Sequence, residues 1–348
     1  MINQEFKRFL ELPEQERKDV FEAEAEELDT LPSYIEKDFW VCLVLDILYN
    51  GLNADHPRLL FKGGTSLSKA YKLIQRFSED VDFTVFRQDI GFDESKDPAA
   101  SGISGKERDR RSISLMEDSS QYICNKLRND LEAMALTMAL GCSVIRDTED
   151  KDESTLLFHY PSLFADGTAT YIQPRVKLEG GGRSALDPHE ELVIEPFINH
   201  ILTDWDFSVP NIISIRPERT FWDKVMILHG WYCGHRDEGR LPNDRQRISR
   251  HYYDVAMIHK TDLGLQAVSD TKLREDVRQH KILFFKKAWM KLDEAVPGSL
   301  HLVPQGKLLQ NLQDDYQAME GMMLGNAPPF EAIVEELENI ETAINQEI

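Results

Sequence analysis

The sequence predicts an α+β fold, with a small mixed sheet flanked by helices in residues 1–214 and a helical domain in residues 215–348. Three observations predict it. Short segments that alternate polar and apolar residues, as strands do, are confined to the first part of the chain. From about residue 215 onward the apolar residues recur at helical spacing instead. The 348 residues, 41% of them hydrophobic, are enough for two domains with their own cores.

Two helices are predicted before the first strand. Residues 3–28 form an amphipathic helix rich in Glu, and residues 33–50 form a more apolar one. The side chains of the second helix that are expected to pack inward are Trp40, Leu43, Val44, Ile47 and Leu48. Both helices should therefore cover the sheet.

A glycine turn follows at Gly63 and Gly64. Because glycine has no Cβ, the backbone can turn sharply and its N–H groups can approach an anion. Thr65 and Ser66 would add hydroxyl donors. Apolar residues at helical spacing predict a helix over 66–76 whose N-terminus faces the same anion. The turn therefore indicates a phosphate site.

Two carboxylates come next, on one face of a predicted strand. In the run DVDFTVF at 80–86, period-2 alternation directs Asp80, Asp82 and Thr84 to the same face. Like charges this close repel each other unless a hard cation such as Mg²⁺ neutralises them. Taken alone, the Asp-x-Asp pair is more typical of solvated charge, and Gly-Gly-Thr-Ser is a common turn. Their conjunction predicts a nucleotide-and-metal site.

The remaining segments predict further helices and short strands. Residues 87–112, rich in Asp, Ser, Gly, Lys and Arg, indicate a mobile insertion, and a long helix is expected over 113–140. Short strands are expected at 142–147, 155–160, 169–179, where Pro174 forces a break or bulge, and 191–198. Helices of the second domain are expected at 217–233, 249–260, 271–294 and 329–346.

The glycine turn, short helix and Asp-x-Asp strand together resemble the signature of the DNA polymerase β-like nucleotidyltransferase superfamily. The run FKGGTSLSKAYKLIQRFSEDVDF at 61–83 further resembles the core motif of the AbiEii-type nucleotidyltransferase toxins of prokaryotic toxin–antitoxin and phage-defence systems. Four other segments agree with that family: IEKDFWVCLVLDIL at 35–48, PRVKLEGGGRS at 174–184, RPERTFWDKVMILHG at 216–230 and SRHYYDVAMI at 249–258.

The resemblance implies a nucleotidyltransferase fold and a set of site residues. Nucleotide binding would fall to Lys62, Gly63, Gly64, Thr65, Ser66, Lys69, Lys224 and Asp254. Catalysis would fall to Asp80, Asp82, Lys177 and Glu179, with Mg²⁺ or Mn²⁺ on Asp80, Asp82 and Glu179.

Two of these assignments leave alternatives open. Lys177 and Glu179 share one face of a strand, either beside the aspartates or as a surface ion pair. Asp254 either positions Lys224 or Arg250 by a hydrogen bond or only ties two helices together.

The implied activity is transfer of a nucleotide from a nucleoside triphosphate to an RNA 3′ end, with tRNA as the acceptor and blocked translation as the consequence. A cognate antitoxin protein would be a partner. Two alternatives stand beside it. One is transfer to a protein hydroxyl or a small molecule such as an antibiotic, and the other is a catalytically idle module that binds nucleotide or RNA.

The formal net charge of −21 opposes RNA binding, because bulk negative charge repels phosphates. Local arginine clusters would have to overcome it, although each cluster alone is more typical of a solvated face. The candidate RNA contacts are Arg108, Arg110, Arg111, Arg245, Arg247 and Arg250.

Compartment and cysteine usage complete the expectations. The chain has no apolar run of signal-peptide or membrane-span length, which predicts a cytoplasmic protein without a membrane partner. Its four cysteines form no C-x-x-C pair and are expected to be buried free thiols. His229, Cys233 and His235, with His251 further on, could bind zinc, but closing a core-facing helix is the more ordinary role for the first two.

Overall fold

The computed structural model describes residues 1–138, 140–164, 173–243 and 246–346. The chain forms two compact units. The first consists of Met1–Ala70 and Phe77–Ile215, and the second of Tyr71–Arg76 and Arg216–Ile348. Residues 71–76 were predicted to belong to the first domain.

The first unit is built on a mixed sheet. Its strands are β1 (Leu59–Lys62), β2 (Asp80–Val85), β3 (Ser143–Arg146), β4 (Thr155–His159), β5 (Arg175–Glu179), β6 (His189–Ile194) and β7 (Val209–Ile215). Their order across the described sheet is β3-β4-β5-β2-β1-β7-β6. The pairs β2–β5 and β1–β7 are parallel, and the other neighbours are antiparallel. The predicted α+β class is confirmed.

Two strands of this sheet were not predicted. β1 is a short apolar run without alternation, and such a run cannot be told from a buried helix segment by its period. β7 contains Pro210 and Asn211, which obscure its pattern. The strand predicted over 169–179 occupies only Arg175–Glu179 among the described residues, and its positions 169–172 lie outside them.

The predicted N-terminal helix is two helices, α1 (Gln4–Leu10) and α2 (Glu14–Glu27). The helix is interrupted before Pro13, which lacks an N–H and occupies the N-cap of α2. The next helix, α3 (Pro32–Asp46), continues as a π-helical turn at Ile47–Gly51. Its inward-facing side chains are buried in the core of the first unit, as predicted.

The helix predicted over 66–76 is much shorter. A single turn, α4 (Gly63–Thr65), leads into a π-helical turn at Ser66–Ala70, where helical structure stops. Beyond it Lys72 has φ 54°, which is incompatible with a continuing right-handed helix. This is where the chain enters the second unit.

The segment predicted as a mobile insertion contains helical structure at both ends. A 3₁₀ turn covers Arg87–Ile90, and α5 (Gly105–Gln121) begins before residue 112. The Ser104 hydroxyl caps α5 by accepting a hydrogen bond from the Glu107 N–H. A π-helical turn at Tyr122–Leu127 then leads into α6 (Arg128–Thr137).

The main helices of the second unit are α7 (Pro217–Glu238), α8 (Ser249–His259), α9 (Asp262–Ser269), α10 (Thr271–Phe284), α11 (Gly306–Gln317) and α12 (Phe330–Asn345). The helix predicted from residue 271 ends ten residues earlier than expected, at Phe284, and neither α9 nor α11 was predicted. No helix of the described residues has the length and apolar character needed to cross a bilayer.

Candidate active site

The glycine turn lies directly against one of the two aspartates. Gly63 follows β1 with φ +80°, a conformation that favours glycine. A Cβ built on Gly63 would lie 2.1 Å from Oδ2 of Asp82, closer than any real contact. The turn therefore requires glycine for two reasons, its backbone angle and its closeness to the carboxylate.

The hydroxyls of the turn bond within the protein. Thr65 Oγ1 donates to the carbonyl oxygen of Asp80 and lies 2.9 Å from Ser78 Oγ, while Ser66 Oγ donates to the carbonyl oxygen of Gly63 at 2.9 Å. Both side chains are fully buried. Thr65 therefore connects the turn to β2, whereas Ser66 closes the turn on itself. The predicted hydroxyl contacts to phosphate would require these bonds to be exchanged. The backbone N–H groups of the turn need no such change.

The paired carboxylates have the second predicted pair beside them. β2 and β5 run parallel with Asp80 opposite Lys177 and Asp82 opposite Glu179. Residues paired in this way direct their side chains to the same face of a sheet. All four predicted catalytic residues are thus brought together, although the two pairs are separated by nearly a hundred residues along the chain.

The charges of this group are only partly balanced. Lys177 Nζ lies 2.5 Å from Oε1 of Glu179, and Lys62 Nζ lies 3.5 Å from Oδ1 of Asp82. Asp80 has no such partner among the described residues. Burial, followed by the negative charges of Glu179, Glu79 and Asp82, raises the pKa of Asp80 to about 7. A cation at Asp80 would relieve this repulsion.

A cavity of about 320 Å³ opens beside Asp80. It is lined by Lys37, Glu79, Asp80, Gln173, Arg175 and Lys177. Lys37, only 3% exposed, donates to the carboxylate of Glu79 and, at 3.2 Å, to the carbonyl oxygen of Gln173.

Lys37, Glu79 and Arg175 were not predicted as site residues. One signal for Lys37 was available, a lysine within a predominantly apolar helix. Glu79 directly precedes Asp80, and Arg175 shares the alternating face of Lys177 and Glu179. Their common cavity could not be inferred from these positions.

The donor set suits a hard divalent cation. Asp80 and Asp82 offer carboxylate oxygens, the ligands that Mg²⁺ prefers. Among the described residues, however, a different group of three has its ligand atoms within 4.8 Å of one another. It consists of Glu24, Glu27 and His200. Asp80, Asp82 and Glu179 are not assembled that closely. Glu179 is held by Lys177, so the two aspartates are the available metal ligands.

Lys69, predicted to bind nucleotide, is placed in the interior of the first unit. Its Nζ lies 2.5 Å from Oδ1 of Asp38 and 3.5 Å from the ring centroid of Phe197. Lys69 is 7% exposed and Asp38 is 4% exposed. The ammonium is already neutralised by a buried carboxylate, so contact between Lys69 and a nucleotide would require this ion pair to be broken.

Lys224 and Asp254, also predicted to bind nucleotide, form a buried cluster in the second unit. Asp254 accepts from Lys224 Nζ at 2.8 Å and from Arg76 at 2.7 and 2.8 Å in a bidentate pair. Burial opposes its ionisation, but Arg76 and Lys224 hold its pKa well below the usual value. Asp254 thus joins α7, α8 and the 71–76 segment, with Arg76 rather than Arg250 as its second cation.

The zinc hypothesis finds no support in the described residues. His229 Nδ1 accepts from the His301 N–H at 3.2 Å, and Nε2 lies 3.3 Å from the Lys291 carbonyl oxygen. Burial lowers the pKa of His229 to about 4. His251 lies beside Lys224, with 3.2 Å between Nδ1 and Nζ. All four cysteines are free, and Cys142 is the one that is only partly buried.

The first arginine cluster is partly neutralised. Arg110 and Arg111 both bond to the carboxylate of Glu107, and Arg108 donates to the carbonyl oxygen of Pro98. In the second cluster Arg245 lies outside the described residues, whereas Arg247 and Arg250 lie within them. Their contact with RNA stays a prediction.

A mixed sheet that presents paired aspartates beside a glycine turn defines the class of this protein as a nucleotidyltransferase. A family model described as "Nucleotidyl transferase AbiEii toxin, Type IV TA system" matches residues 46–336. The chain belongs to this family, the nucleotidyltransferase toxins of type IV toxin–antitoxin systems. Membership implies a nucleotide substrate and a cognate antitoxin.

Among solved structures, the chain is similar to MenT4, a nucleotidyltransferase toxin from Mycobacterium tuberculosis H37Rv. The identity is 14%, the alignment covers 82% of this chain and 94% of that chain, and the TM-score is 0.31. No curated protein matches the chain.

Proposed function

We propose that the protein transfers a nucleotide from a nucleoside triphosphate to the 3′ hydroxyl of an RNA, with tRNA as the foremost candidate, and so blocks translation. The observation that carries the chemistry is the side-by-side placement of Asp80 and Asp82 with Lys177 and Glu179 on two parallel strands. Family membership supplies the reaction class.

The nucleotide's phosphates would bind along the turn at Gly63 and Gly64. The absence of a side chain at Gly63 allows the backbone to approach Asp82, and it leaves N–H groups as donors for phosphate oxygens. Lys62, about a quarter exposed, would add a positive charge next to the same carboxylate. Thr65 and Ser66 would stabilise this turn through the hydrogen bonds of their buried hydroxyls.

Asp80 and Asp82 would hold Mg²⁺ or Mn²⁺, which would neutralise phosphate charge and orient the attacking hydroxyl. The Lys177 ammonium would stabilise charge that develops on the phosphate, because it is a fixed cation opposite Asp80. Glu179 holds Lys177 in place through their ion pair. Glu179 could also accept the proton of the attacking hydroxyl.

One observation favours the second class of acceptor, a protein hydroxyl or a cationic small molecule. A cavity of about 610 Å³ beside Lys177 and Glu179 is lined by five acidic residues against two lysines, the acidic ones being Asp147, Glu149, Asp150, Asp152 and Glu179. Such a surface repels an RNA backbone and attracts cations. The net charge of −21 acts in the same direction.

The acceptor is tested by incubating the protein with each α-labelled nucleoside triphosphate, Mg²⁺, total RNA and cell protein. We expect label in RNA of tRNA size, and none with Asp82→Asn or with EDTA. Label in protein or in a small molecule would assign the second acceptor class. Label in no fraction, with any triphosphate, would overturn the proposal of transfer.

A further inference from the structure

Arg175 is an uncompensated cation in the cavity beside Asp80. Among the described residues its guanidinium has no hydrogen-bonding or ionic partner, although it is only partly exposed. An arginine side chain presents five N–H donors in a planar fork that matches phosphate oxygens.

The other cations of the cavity already have counter-ions. Lys37 is bonded to Glu79, and Lys177 is bonded to Glu179. The remaining carboxylate is Asp80, which is assigned to the metal. Once a divalent cation balances Asp80, the cavity carries an excess of positive charge, centred on Arg175. It therefore suits an anion.

This cavity and the glycine turn lie on opposite sides of β2. The turn follows β1, which neighbours β2 on one side, whereas Arg175 and Lys177 lie on β5, which neighbours it on the other. A triphosphate on the turn would leave the β5 side of the aspartates to the second substrate. An anion on that side belongs most simply to the acceptor.

We propose that Arg175, assisted by Lys37 and Lys177, forms a phosphate subsite that binds a backbone phosphate of the acceptor RNA next to its reacting 3′ hydroxyl. The subsite rests on the proposed function, because it assumes RNA as the acceptor. The group that the subsite recognises is a phosphate, which could come from the RNA or from the nucleoside triphosphate.

The subsite itself is tested with inorganic phosphate as the probe. Isothermal titration compares wild type with Arg175→Gln, Arg175→Lys and Arg128→Gln. Arg128 is a matched control, since it lies on α6 in the same unit and carries the same charge. We expect the phosphate Kd to rise about tenfold in Arg175→Gln, as for removal of one charge-assisted hydrogen bond. The phosphate Kd of Arg175→Lys should lie between those of wild type and Arg175→Gln, and that of Arg128→Gln should equal the wild-type value.

Two further measurements identify the source of the phosphate. Fluorescence anisotropy with a labelled RNA oligonucleotide and titration with a non-hydrolysable triphosphate are each done without the other substrate. We expect Arg175→Gln to raise the Kd for RNA and to leave the triphosphate Kd unchanged. A rise in the triphosphate Kd alone would overturn the assignment to the acceptor.

Failure of the subsite and failure of the proposed function give different results. Wild-type protein that labels no RNA removes RNA as the acceptor, while the inorganic phosphate titration still decides whether Arg175 binds phosphate. An unchanged phosphate Kd in Arg175→Gln, with unchanged thermal stability, overturns the subsite even if RNA is labelled normally.

Discussion

The backbone of Gly63 lies so close to the carboxylate of Asp82 that a Cβ would be 2.1 Å from Oδ2. This proximity joins the two halves of the sequence motif in space. It explains why a glycine turn and an aspartate nearly twenty residues later have to be considered as one unit, since a side chain at residue 63 would displace the Asp82 carboxylate.

Gly63→Ala should abolish activity and destabilise the first unit. The new methyl group would displace Asp82 from its position, and φ +80° disfavours any residue with a Cβ by about 1–2 kcal/mol. Transfer rate and thermal unfolding measure the two effects. Gly91→Ala is the matched control, because Gly91 has φ +90° but nothing within 4 Å of its Cβ position. Equal activity loss in both variants would show that the proximity to Asp82 is unimportant.

Asp80→Asn should stabilise the metal-free protein at neutral pH. The pKa of Asp80 is raised to about 7 from 3.8, so the folded state binds the proton more tightly than the unfolded state. Its contribution to stability is therefore present below pH 4 and is lost as the pH rises to 7. Asp80→Asn has no carboxyl group to ionise and does not lose this stability. Its free energy of unfolding should exceed that of wild type by about 1–2 kcal/mol at neutral pH.

Thermal unfolding in EDTA between pH 4 and pH 8 measures this gap. Added Mg²⁺ should stabilise wild type at pH 8 and have little effect on Asp80→Asn. If the stability advantage of Asp80→Asn over wild type shrank as the pH rose, Asp80 would be stabilised as the anion. That result would contradict the electrostatic account of the site.

Lys177→Ala should reduce the transfer rate more than it reduces stability. Lys177 is about a third exposed, and a fixed cation at developing phosphate charge contributes about 2–4 kcal/mol to catalysis. Glu179→Gln keeps the shape but removes the charge that holds Lys177, and should give a smaller loss. Single-turnover rates and urea unfolding test both variants. Wild-type turnover in both would leave Lys177 and Glu179 as a surface ion pair.

Asp254→Asn should destabilise the second unit by about 3–5 kcal/mol, because it leaves the buried cations Arg76 and Lys224 without their shared counter-ion. Urea unfolding measures this cost. Asp314→Asn on α11 makes the same chemical change at an exposed position and should have little effect. Stability close to wild type in Asp254→Asn would rule out this structural role.

Neutralising the arginine clusters should weaken RNA binding and flatten its salt dependence, by about one unit of slope for each RNA phosphate that is no longer bound. The variants are Arg108/Arg110/Arg111→Ala and Arg245/Arg247/Arg250→Ala. The slope of the first should change by less than three units, because Glu107 already occupies Arg110 and Arg111. Triphosphate binding should not change. Filter-binding slopes identical to wild type in both would exclude these clusters as RNA-binding surfaces.

The sequence by itself determined the fold class, the family and the pairing of a glycine turn with Asp80 and Asp82. These are local properties, because the period of a strand and the lack of a Cβ act on neighbouring residues. Helix bounds were predicted where apolar spacing was regular, as in α12. The end of helical structure at Ala70 was missed, because the chain enters another compact unit there.

Only the tertiary structure decided which charges meet. Lys69 and Lys177 are both lysines near motif residues. Lys69 is neutralised by Asp38 in the core, whereas Lys177 lies opposite Asp80 on the neighbouring strand. Among the described residues Arg175 has no counter-ion, whereas Arg76 is bound to Asp254 nearly two hundred residues away. Electrostatic energy depends on distance and burial, and neither can be computed from separation along the chain.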